Sequence, residues 1–387
     1  MVKQASRIEK IPPYLFARID KKKEEARKKG LDLVDLSIGD PDLPTPEHIV
    51  RKMRDATADP KNHRYPSYEG MFDFRKAVAD WYMTRFGVEL NPATEVVTLI
   101  GSKEGIAHMP WAYLDEGDVA LIPSPGYPVY KISTLLAGGA PYMLPLREEH
   151  QFLPVLENVP EDVREKAKLI FINYPNNPTG AHADDELYEK AIYGARKYDI
   201  LICHDAAYSE VTFDGYVAKS ILQFDKNKKY CVEFHSLSKT YCMTGWRIGF
   251  AVGNAEAIQN LGRLKTNIDS GVFQAIQYAA IEALTGSQES VDAMKTIYAR
   301  RRDIVIDGLT SMGLRVQKPL GTFYIWARVP AGFSSAEFCE KVIEEKGVVV
   351  TPGSGFGDEG EGYFRISTTT SEDRIQEAIK RLKSMKL

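Results

Sequence analysis

The stretch "YCVEFHSLSKTYCMTGWRIGFAVG", residues 230–253, places a single lysine, Lys239, between two apolar runs. Each run, at 230–238 and 247–253, has the composition of a buried β-strand. Similar runs occur further upstream, and amphipathic helical patterns separate most of them; they lie at 119–123, 168–175 and 199–208. This alternation predicts an α/β fold with a mostly parallel central sheet flanked by helices.

The sequence pattern changes after residue 285. A long helical pattern covers 287–313, and shorter strand-like pieces and a closing helix follow it. At 387 residues the chain also exceeds what one hydrophobic core usually supports. We therefore expect a large domain at 45–285 and a smaller α+β domain that combines 286–387 with the N-terminal segment 1–44.

Composition narrows the class of partner. The chain has 50 Lys and Arg against 53 Asp and Glu, a formal net charge of −3, which offers no global field for nucleic acid or an anionic membrane. The first residues lack the apolar centre of a signal peptide, and no run approaches the ~20 apolar residues of a membrane span. The four cysteines form no C-x-x-C pair, so no metal site is expected. These features predict a cytoplasmic protein that acts on small molecules.

Three polar motifs lie where predicted strands end: "NYPNNPTG" (173–180), "HDAAYSE" (204–210) and "SLSKTYCMTGWR" (236–247). Functional residues of an open α/β sheet gather at its carboxyl edge, so we expect these motifs to meet around one ligand. Together they supply a carboxylate, a phenol, an amide, two hydroxyls, a guanidinium and an amine: Asp205, Tyr208, Asn177, Ser236, Ser238, Arg247 and Lys239.

A pyridine cofactor with a phosphate arm uses all of these groups. Lysine forms a Schiff base with an aldehyde, which is the role predicted for Lys239. A carboxylate at Asp205 keeps a pyridine nitrogen protonated, so that the ring withdraws electrons from a substrate carbanion. Tyr208 and Asn177 suit the ring oxygen as hydrogen-bond donors. The remaining hydroxyls and the guanidinium suit a phosphate dianion, as does the helix that "GSKEGI" (101–106) opens.

With "GDPDLPTP", "RYPSYEG", "PSPGYPVY" and "YFRIST" in the same order, the chain resembles class I/II aminotransferases over essentially its full length. That resemblance implies the pyridoxal-phosphate fold called fold type I, pyridoxal 5'-phosphate as cofactor, and a homodimer with shared active sites. It implies catalytic roles for Lys239, Asp205 and Tyr208. The implied cofactor-binding residues are Ser102, Lys103, Tyr127, Asn177, Asp205, Tyr208, Ser236, Ser238, Lys239, Arg247 and, from the partner subunit, Tyr65.

Further motifs, "PPYLFA", "GSKEGIAH" and "KTNIDSGVFQAIQ", are similar to the branch of this family that acts on LL-2,6-diaminopimelate. In that branch the counterparts of Lys103 and of the partner subunit's Asn267 help to hold the distal end of the substrate. Plant-type members carry a glutamate for the distal amino group where this chain has Tyr68, with Glu69 displaced by one position. The implied substrate-binding residues are Tyr14, Gly39, Lys103, Asn177, Asn267 and Arg365, with Arg365 on the α-carboxylate.

The implied reaction is a ping-pong amino-group exchange in lysine biosynthesis. LL-2,6-diaminopimelate and 2-oxoglutarate stand on one side, and tetrahydrodipicolinate and glutamate on the other, with Lys239 as anchor and general base. Another class I aminotransferase, for aspartate, alanine or aromatic amino acids, would keep every cofactor residue. A pyridoxal-phosphate-dependent β-lyase is also compatible with the anchor. A regulator with an aminotransferase-like domain is disfavoured, because the family pattern begins within the first few dozen residues.

Overall fold

The structure is a computed structural model that describes residues 2–11 and 16–385, with the side chains of 16–18 outside the description. The α-helices of this part of the chain are α1 (Ser6–Glu9), α2 (Phe16–Lys28), α3 (Glu47–Ala58), α4 (Phe72–Phe86), α5 (Ser102–Tyr113), α6 (Val129–Ala137), α7 (Glu161–Lys166), α8 (Asp185–Tyr198), α9 (Leu237–Thr240), α10 (Ala255–Lys265), α11 (Gln274–Thr285), α12 (Glu289–Ser311), α13 (Ser335–Lys346) and α14 (Glu372–Lys383). The strands are β1 (Val34–Asp35), β2 (Val96–Leu99), β3 (Val119–Ser124), β4 (Ala140–Pro145), β5 (Ala167–Asn173), β6 (Leu201–Asp205), β7 (Cys231–Ser236), β8 (Gly249–Gly253), β9 (Tyr324–Arg328), β10 (Val348–Val349), β11 (Thr351–Pro352) and β12 (Tyr363–Ser367). None of the described helices has the length and apolar character needed to cross a bilayer.

Seven of the strands form one sheet in the order β2-β8-β7-β6-β5-β3-β4. Strand β8 runs antiparallel to both of its neighbours, and the other pairs are parallel. The predicted α/β fold with a mostly parallel central sheet is confirmed.

Both faces of this sheet are buried, and β5 shows why its sequence is a continuous apolar run. Side chains alternate between the two faces of a strand. Leu169 and Phe171 pack in a core that includes residues of α5, α6 and α10, whereas Ile170 and Ile172 pack in the core on the opposite face with residues of α4, α8 and α11. Each face therefore needs an apolar side chain, as in other parallel sheets that are covered on both sides.

A second set of strands lies in the C-terminal part of the chain. Strands β11, β12 and β9 form an antiparallel sheet, and α12, α13 and α14 contribute to its core, with Val305, Phe338, Phe364 and Ile375 fully buried. Strand β1 pairs in parallel with β10, which ties the N-terminal segment to this part. These contacts fit the predicted grouping of 1–44 with 286–387, which stays a prediction.

Candidate active site

A cavity of about 1130 Å³ lies at the carboxyl ends of β3, β5, β6 and β7, which end at Ser124, Asn173, Asp205 and Ser236. Further lining comes from the segment 354–359, from Tyr324 of β9 and from Arg365 of β12. The structure brings most of the predicted site residues to this one cavity: Gly39, Ser102, Lys103, Tyr127, Asn177, Asp205, Tyr208, Ser236, Ser238, Lys239, Arg247 and Arg365.

Lys239 lies on the short helix α9, directly after β7. Its Nζ donates a hydrogen bond to the carbonyl oxygen of Gly39 at 2.7 Å. Burial is the largest influence on this amine and lowers its pKa from the usual value, an effect that the positive charges of Arg247 and Arg365 reinforce. The neutral amine, which is the nucleophilic form, is therefore more accessible than in an exposed lysine.

Asp205 ends β6 and is 5% exposed. Burial raises the pKa of this carboxyl, and a hydrogen bond that its Oδ2 accepts from the Tyr130 hydroxyl at 2.8 Å opposes the rise. Its Oδ1 accepts a longer bond of 3.3 Å from the backbone N–H of Ala207. Sequence reasoning missed Tyr130, although it stands three residues after Tyr127 in "PSPGYPVY".

Arg365 lies in β12 and is 3% exposed. Its Nη1 donates to Asn177 Oδ1 at 2.8 Å, and its Nη2 donates to the carbonyl oxygen of Ser37 at 2.7 Å. The guanidinium carbon is 4.1 Å from the ring centroid of Tyr324 and 4.7 Å from that of Phe356. Two aromatic rings thus hold a planar fork of donors at the cavity wall, an arrangement suited to a carboxylate.

A different end of the cavity combines hydroxyls, a guanidinium and the start of α5. The Ser238 Oγ is buried and has no hydrogen-bond partner among the described residues. Gly101 has a φ of 75°, and a Cβ there would lie 2.2 Å from Arg247 Nη2, so that only glycine lets the guanidinium approach the first turn of α5. An unpartnered hydroxyl and a guanidinium beside the N-terminus of a helix fit a phosphate dianion.

Tyr208 faces the cavity from the turn after β6. Burial raises its pKa well above the usual value, so the hydroxyl keeps its proton and can donate. In the structure it donates to the hydroxyl of Tyr324 at 3.2 Å. Tyr324 is a second residue that sequence reasoning missed, because the pattern of "GTFYIWA" predicts only a strand.

Several predicted residues lie elsewhere. Tyr65 is 85% exposed and does not line the cavity. Asn267 is also exposed outside the cavity, where its Nδ2 donates to the carbonyl oxygen of Arg263 at 2.8 Å. Tyr68, 47% exposed, and Glu69 do not line the cavity either. Tyr14 lies outside the described residues.

Residues 32–382 match the profile of the family described as "Aminotransferase class I and II". The chain belongs to this aminotransferase family. Aminotransferases move an amino group between an amino acid and a 2-oxo acid, so this aminotransferase is an enzyme with those two substrate classes. The family and the reaction type predicted from the motifs are confirmed.

Individual relatives agree with that placement. The LL-diaminopimelate aminotransferase of Halothermothrix orenii is 56% identical over 383 residues, which are 99% of this aminotransferase and 98% of the relative. The substrate-bound structure of BacF from Bacillus subtilis is 38% identical, with a TM-score of 0.94 over 99% of this chain and 98% of that one. A single mutant of the aspartate aminotransferase of Thermus thermophilus is 29% identical, with a TM-score of 0.93 over 99% of each chain.

Proposed function

We propose that the protein is an LL-diaminopimelate aminotransferase, which exchanges an amino group between LL-2,6-diaminopimelate and 2-oxoglutarate, or tetrahydrodipicolinate and glutamate in the reverse sense. The observation that carries the substrate assignment is the 56% identity to a relative of that name over 99% of the chain. The cavity supports the chemistry, because it gathers a lysine of lowered pKa, a buried carboxylate and a clamped arginine.

We assign pyridoxal 5'-phosphate as the cofactor, since the unpartnered Ser238 hydroxyl and the guanidinium beside Gly101 fit its phosphate. The bound cofactor supplies an electron-withdrawing pyridinium ring that stabilises negative charge at the substrate α-carbon. Asp205 would hold the proton on the ring nitrogen, and Tyr208 and Asn177 would donate hydrogen bonds to the ring oxygen. The residues that would hold the phosphate and the ring plane are Ser102, Lys103, Tyr127, Ser236, Ser238 and Arg247.

Lys239 has two successive roles in this scheme. Its Nζ would anchor the cofactor, and its neutral amine would take the proton from the substrate α-carbon. Its contact with the Gly39 carbonyl oxygen keeps the amine at the cavity wall. The same amine would also give that proton back, so that one group serves as base and as acid.

Arg365 binds the α-carboxylate of the substrate with both terminal nitrogens, which now rest on the neutral oxygens of Asn177 and Ser37. Lys103, whose Nζ lies 5.8 Å from the ring centroid of Tyr127, faces the distal end of the substrate. The proposed role of the Gly39 backbone is beside the α-carboxylate, and that of Tyr14 is at the distal end of the substrate.

We further propose a homodimer with shared active sites. The support is that Tyr65 and Asn267 are exposed and lie outside the cavity of their own chain, as expected of residues that serve the partner's cavity. In the dimer Tyr65 of the partner subunit contacts the phosphate, and Asn267 of the partner subunit contacts the distal end of the substrate.

A single-turnover experiment tests the function. The visible absorbance band of the purified holoenzyme is followed after separate addition of LL-diaminopimelate, meso-diaminopimelate, aspartate, alanine and phenylalanine. We expect the LL isomer to change the band fastest. A faster change with aspartate or phenylalanine would retain the aminotransferase and replace its substrate, whereas release of ammonia and pyruvate without transamination would favour a β-lyase.

A further inference from the structure

Tyr324 has contacts with three groups of the site. Its ring lies 4.1 Å from the guanidinium carbon of Arg365, and its hydroxyl is 3.2 Å from the hydroxyl of Tyr208. A Cβ on Gly39 would lie 1.7 Å from the Tyr324 hydroxyl, so this phenol is seated directly against the Gly39 backbone. The carbonyl oxygen of that glycine accepts the hydrogen bond from Lys239.

Packing and hydrogen bonds hold the Tyr324 side chain in place. Tyr324 is 4% exposed and begins β9, where it pairs with Ser367 of β12. Its backbone N–H donates to Thr322 Oγ1 at 3.1 Å, and its ring packs edge to face on Phe323 and Tyr208. These contacts hold the buried phenol, so that its hydroxyl and its ring act from a fixed place.

The direction of the hydrogen bond between Tyr208 and Tyr324 depends on whether Tyr208 donates to a ligand in the cavity. The Tyr208 hydroxyl can donate one hydrogen bond. When it donates that bond into the cavity, its oxygen can still accept a hydrogen bond from a neighbour. The Tyr324 hydroxyl lies 3.2 Å from the Tyr208 oxygen, so its O–H can rotate and donate a hydrogen bond to that oxygen. A hydroxyl that accepts a hydrogen bond is a stronger donor, because neighbouring hydrogen bonds polarise one another.

We propose that Tyr324 is a positioning residue with two separable actions: its hydroxyl strengthens Tyr208 as a donor, and its ring orients Arg365 for the substrate carboxylate. This inference rests on the proposed function, because it assumes that Tyr208 donates to the bound cofactor. Removing the hydroxyl then weakens a chemical step, whereas removing the ring weakens substrate binding.

The first test is Tyr324→Phe in the holoenzyme, which removes the hydroxyl and keeps the ring. We expect kcat to fall about three- to tenfold with KM unchanged, the effect of losing one hydrogen bond. The pH titration of the cofactor absorbance is a readout apart from activity, and its midpoint should move upward, because a weaker Tyr208 donor stabilises the unprotonated chromophore less.

A double-mutant cycle asks whether Tyr324 acts through Tyr208. In a Tyr208→Phe background, Tyr324→Phe should change kcat and the titration midpoint by less than about twofold, since the donor it strengthens is absent. Equal effects of Tyr324→Phe in both backgrounds would overturn the proposed route.

The ring is tested with Tyr324→Leu. We expect KM for amino and oxo acids to rise about three- to thirtyfold, the range of a cation–π contact from exposed to desolvated. If this variant does not fold, the Tyr324→Phe results still decide the action of the hydroxyl.

The matched control is Tyr363→Phe. Tyr363 lies on the adjacent strand β12, donates to Glu148 Oε2 at 3.0 Å, and does not line the cavity. Loss of the Tyr363 hydroxyl should leave kcat and the absorbance titration unchanged. A shift as large as that of Tyr324→Phe would mean that any hydroxyl removed from the sheet of β9, β11 and β12 has this effect, and would contradict a specific role of Tyr324. A wild-type protein without a cofactor band or transamination would instead refute the proposed function, so the two failures are distinguishable.

Discussion

Asp205 and Glu233 are buried carboxylates on the neighbouring strands β6 and β7, yet their pKa values move in opposite directions. Burial dominates at Asp205 and raises its pKa. Burial also acts on Glu233, but the contacts with His204 and His235 outweigh it and hold the pKa of Glu233 well below the usual range. The same low-dielectric interior thus keeps one carboxyl easy to protonate and the other ionised.

The number of partners explains the difference. Among the described residues, the carboxylate of Asp205 accepts hydrogen bonds from two groups, the Tyr130 hydroxyl and the backbone N–H of Ala207. The carboxylate of Glu233 is contacted by five polar groups, which are Tyr82 Oη (2.6 Å), His235 Nε2 (2.8 Å), His204 Nδ1 (2.9 Å), the Ile221 N–H (2.9 Å) and Ser220 Oγ (3.1 Å). A saturated carboxylate stabilises the fold, whereas one with spare acceptor capacity at a cavity can bind a ligand.

Strand geometry separates the two environments. His204 pairs with Glu233 in the register of β6 and β7, and Asp205, one residue later, faces the other side of the sheet. His204 therefore belongs to the hydrogen-bond network of Glu233, whereas the adjacent Asp205 belongs to the cavity. The comparison predicts that changes on the cavity side alter the chemistry and changes on the other side alter stability.

The largest effect is expected for Lys239→Ala. The anchor and the base vanish together, so turnover should fall by at least about 10³-fold. Borohydride reduction followed by mass spectrometry should retain the cofactor on the wild-type chain and not on the variant. Lys239→Arg is the matched control, because it keeps the charge but not a neutral amine; near wild-type turnover in either variant would contradict the assignment.

Asp205→Asn should lower kcat by about 10²- to 10³-fold, the usual loss on removing one preorganised electrostatic group. The apoprotein should become more stable at pH 7. The pKa of Asp205 in the folded state lies above its value of about 3.8 in the unfolded state. Ionisation of Asp205 therefore lowers the free energy of unfolding as pH rises from 3.8 through the folded pKa, and asparagine, which does not ionise, avoids this loss. Thermal unfolding of both apoproteins from pH 4 to 8 measures this, and a less stable variant at pH 7 would contradict the raised pKa.

Glu233→Gln should have the opposite profile, with a lower free energy of unfolding and little change in kcat per folded molecule. Breaking a buried ionic network costs about 3–5 kcal/mol. The folded pKa of Glu233 lies below its unfolded value of 4.5, so the stabilisation is full above pH 4.5 and is lost as pH falls towards the folded pKa. Urea titrations at several pH values should therefore converge for the two proteins in acid; a pH-independent difference would show that ionisation is not the cause.

Among the changes at Lys239, Asp205 and Tyr130, the smallest effect on kcat is expected for Tyr130→Phe, which keeps the ring stacked on Phe171, at a centroid distance of 5.0 Å. Loss of its hydrogen bond removes a group that lowers the pKa of Asp205, so that pKa should rise further. A fall in kcat of about tenfold follows from losing one hydrogen bond to a charged group. The pH profile of kcat should lose activity at its acid side, and an unchanged profile would mean that Tyr130 does not tune Asp205.

Five of the strands in the large sheet were predictable from their apolar runs, and two were missed. Strand β4 (Ala140–Pro145) lies at the sheet edge, is partly exposed and contains Pro141 and Pro145, so its composition is not that of a buried strand. Strand β2 (Val96–Leu99) has only four residues. Short and edge strands derive their stability from neighbours that the local sequence does not reveal.

The site divides in the same way. Lys239, Asp205, Asn177 and Arg247 were predictable because motifs at the carboxyl ends of parallel strands must meet at one edge of the sheet. Tyr130 and Tyr324 were not, because their hydroxyl partners lie 75 and 116 residues away in the chain. The placement of Tyr65 and Asn267 in a partner's site stays a prediction, since it depends on a second copy of the chain.

The sequence by itself determined the family, the reaction type and the identity of the chemically active side chains, because strand periodicity and motif order are local properties of the chain. Only the tertiary structure decided which buried groups are saturated and which are not. Burial and hydrogen bonding act over a few ångströms in space, between residues that the chain order keeps far apart. That is why the contrast between Asp205 and Glu233, and the two contacts of Tyr324, are visible only in the folded molecule.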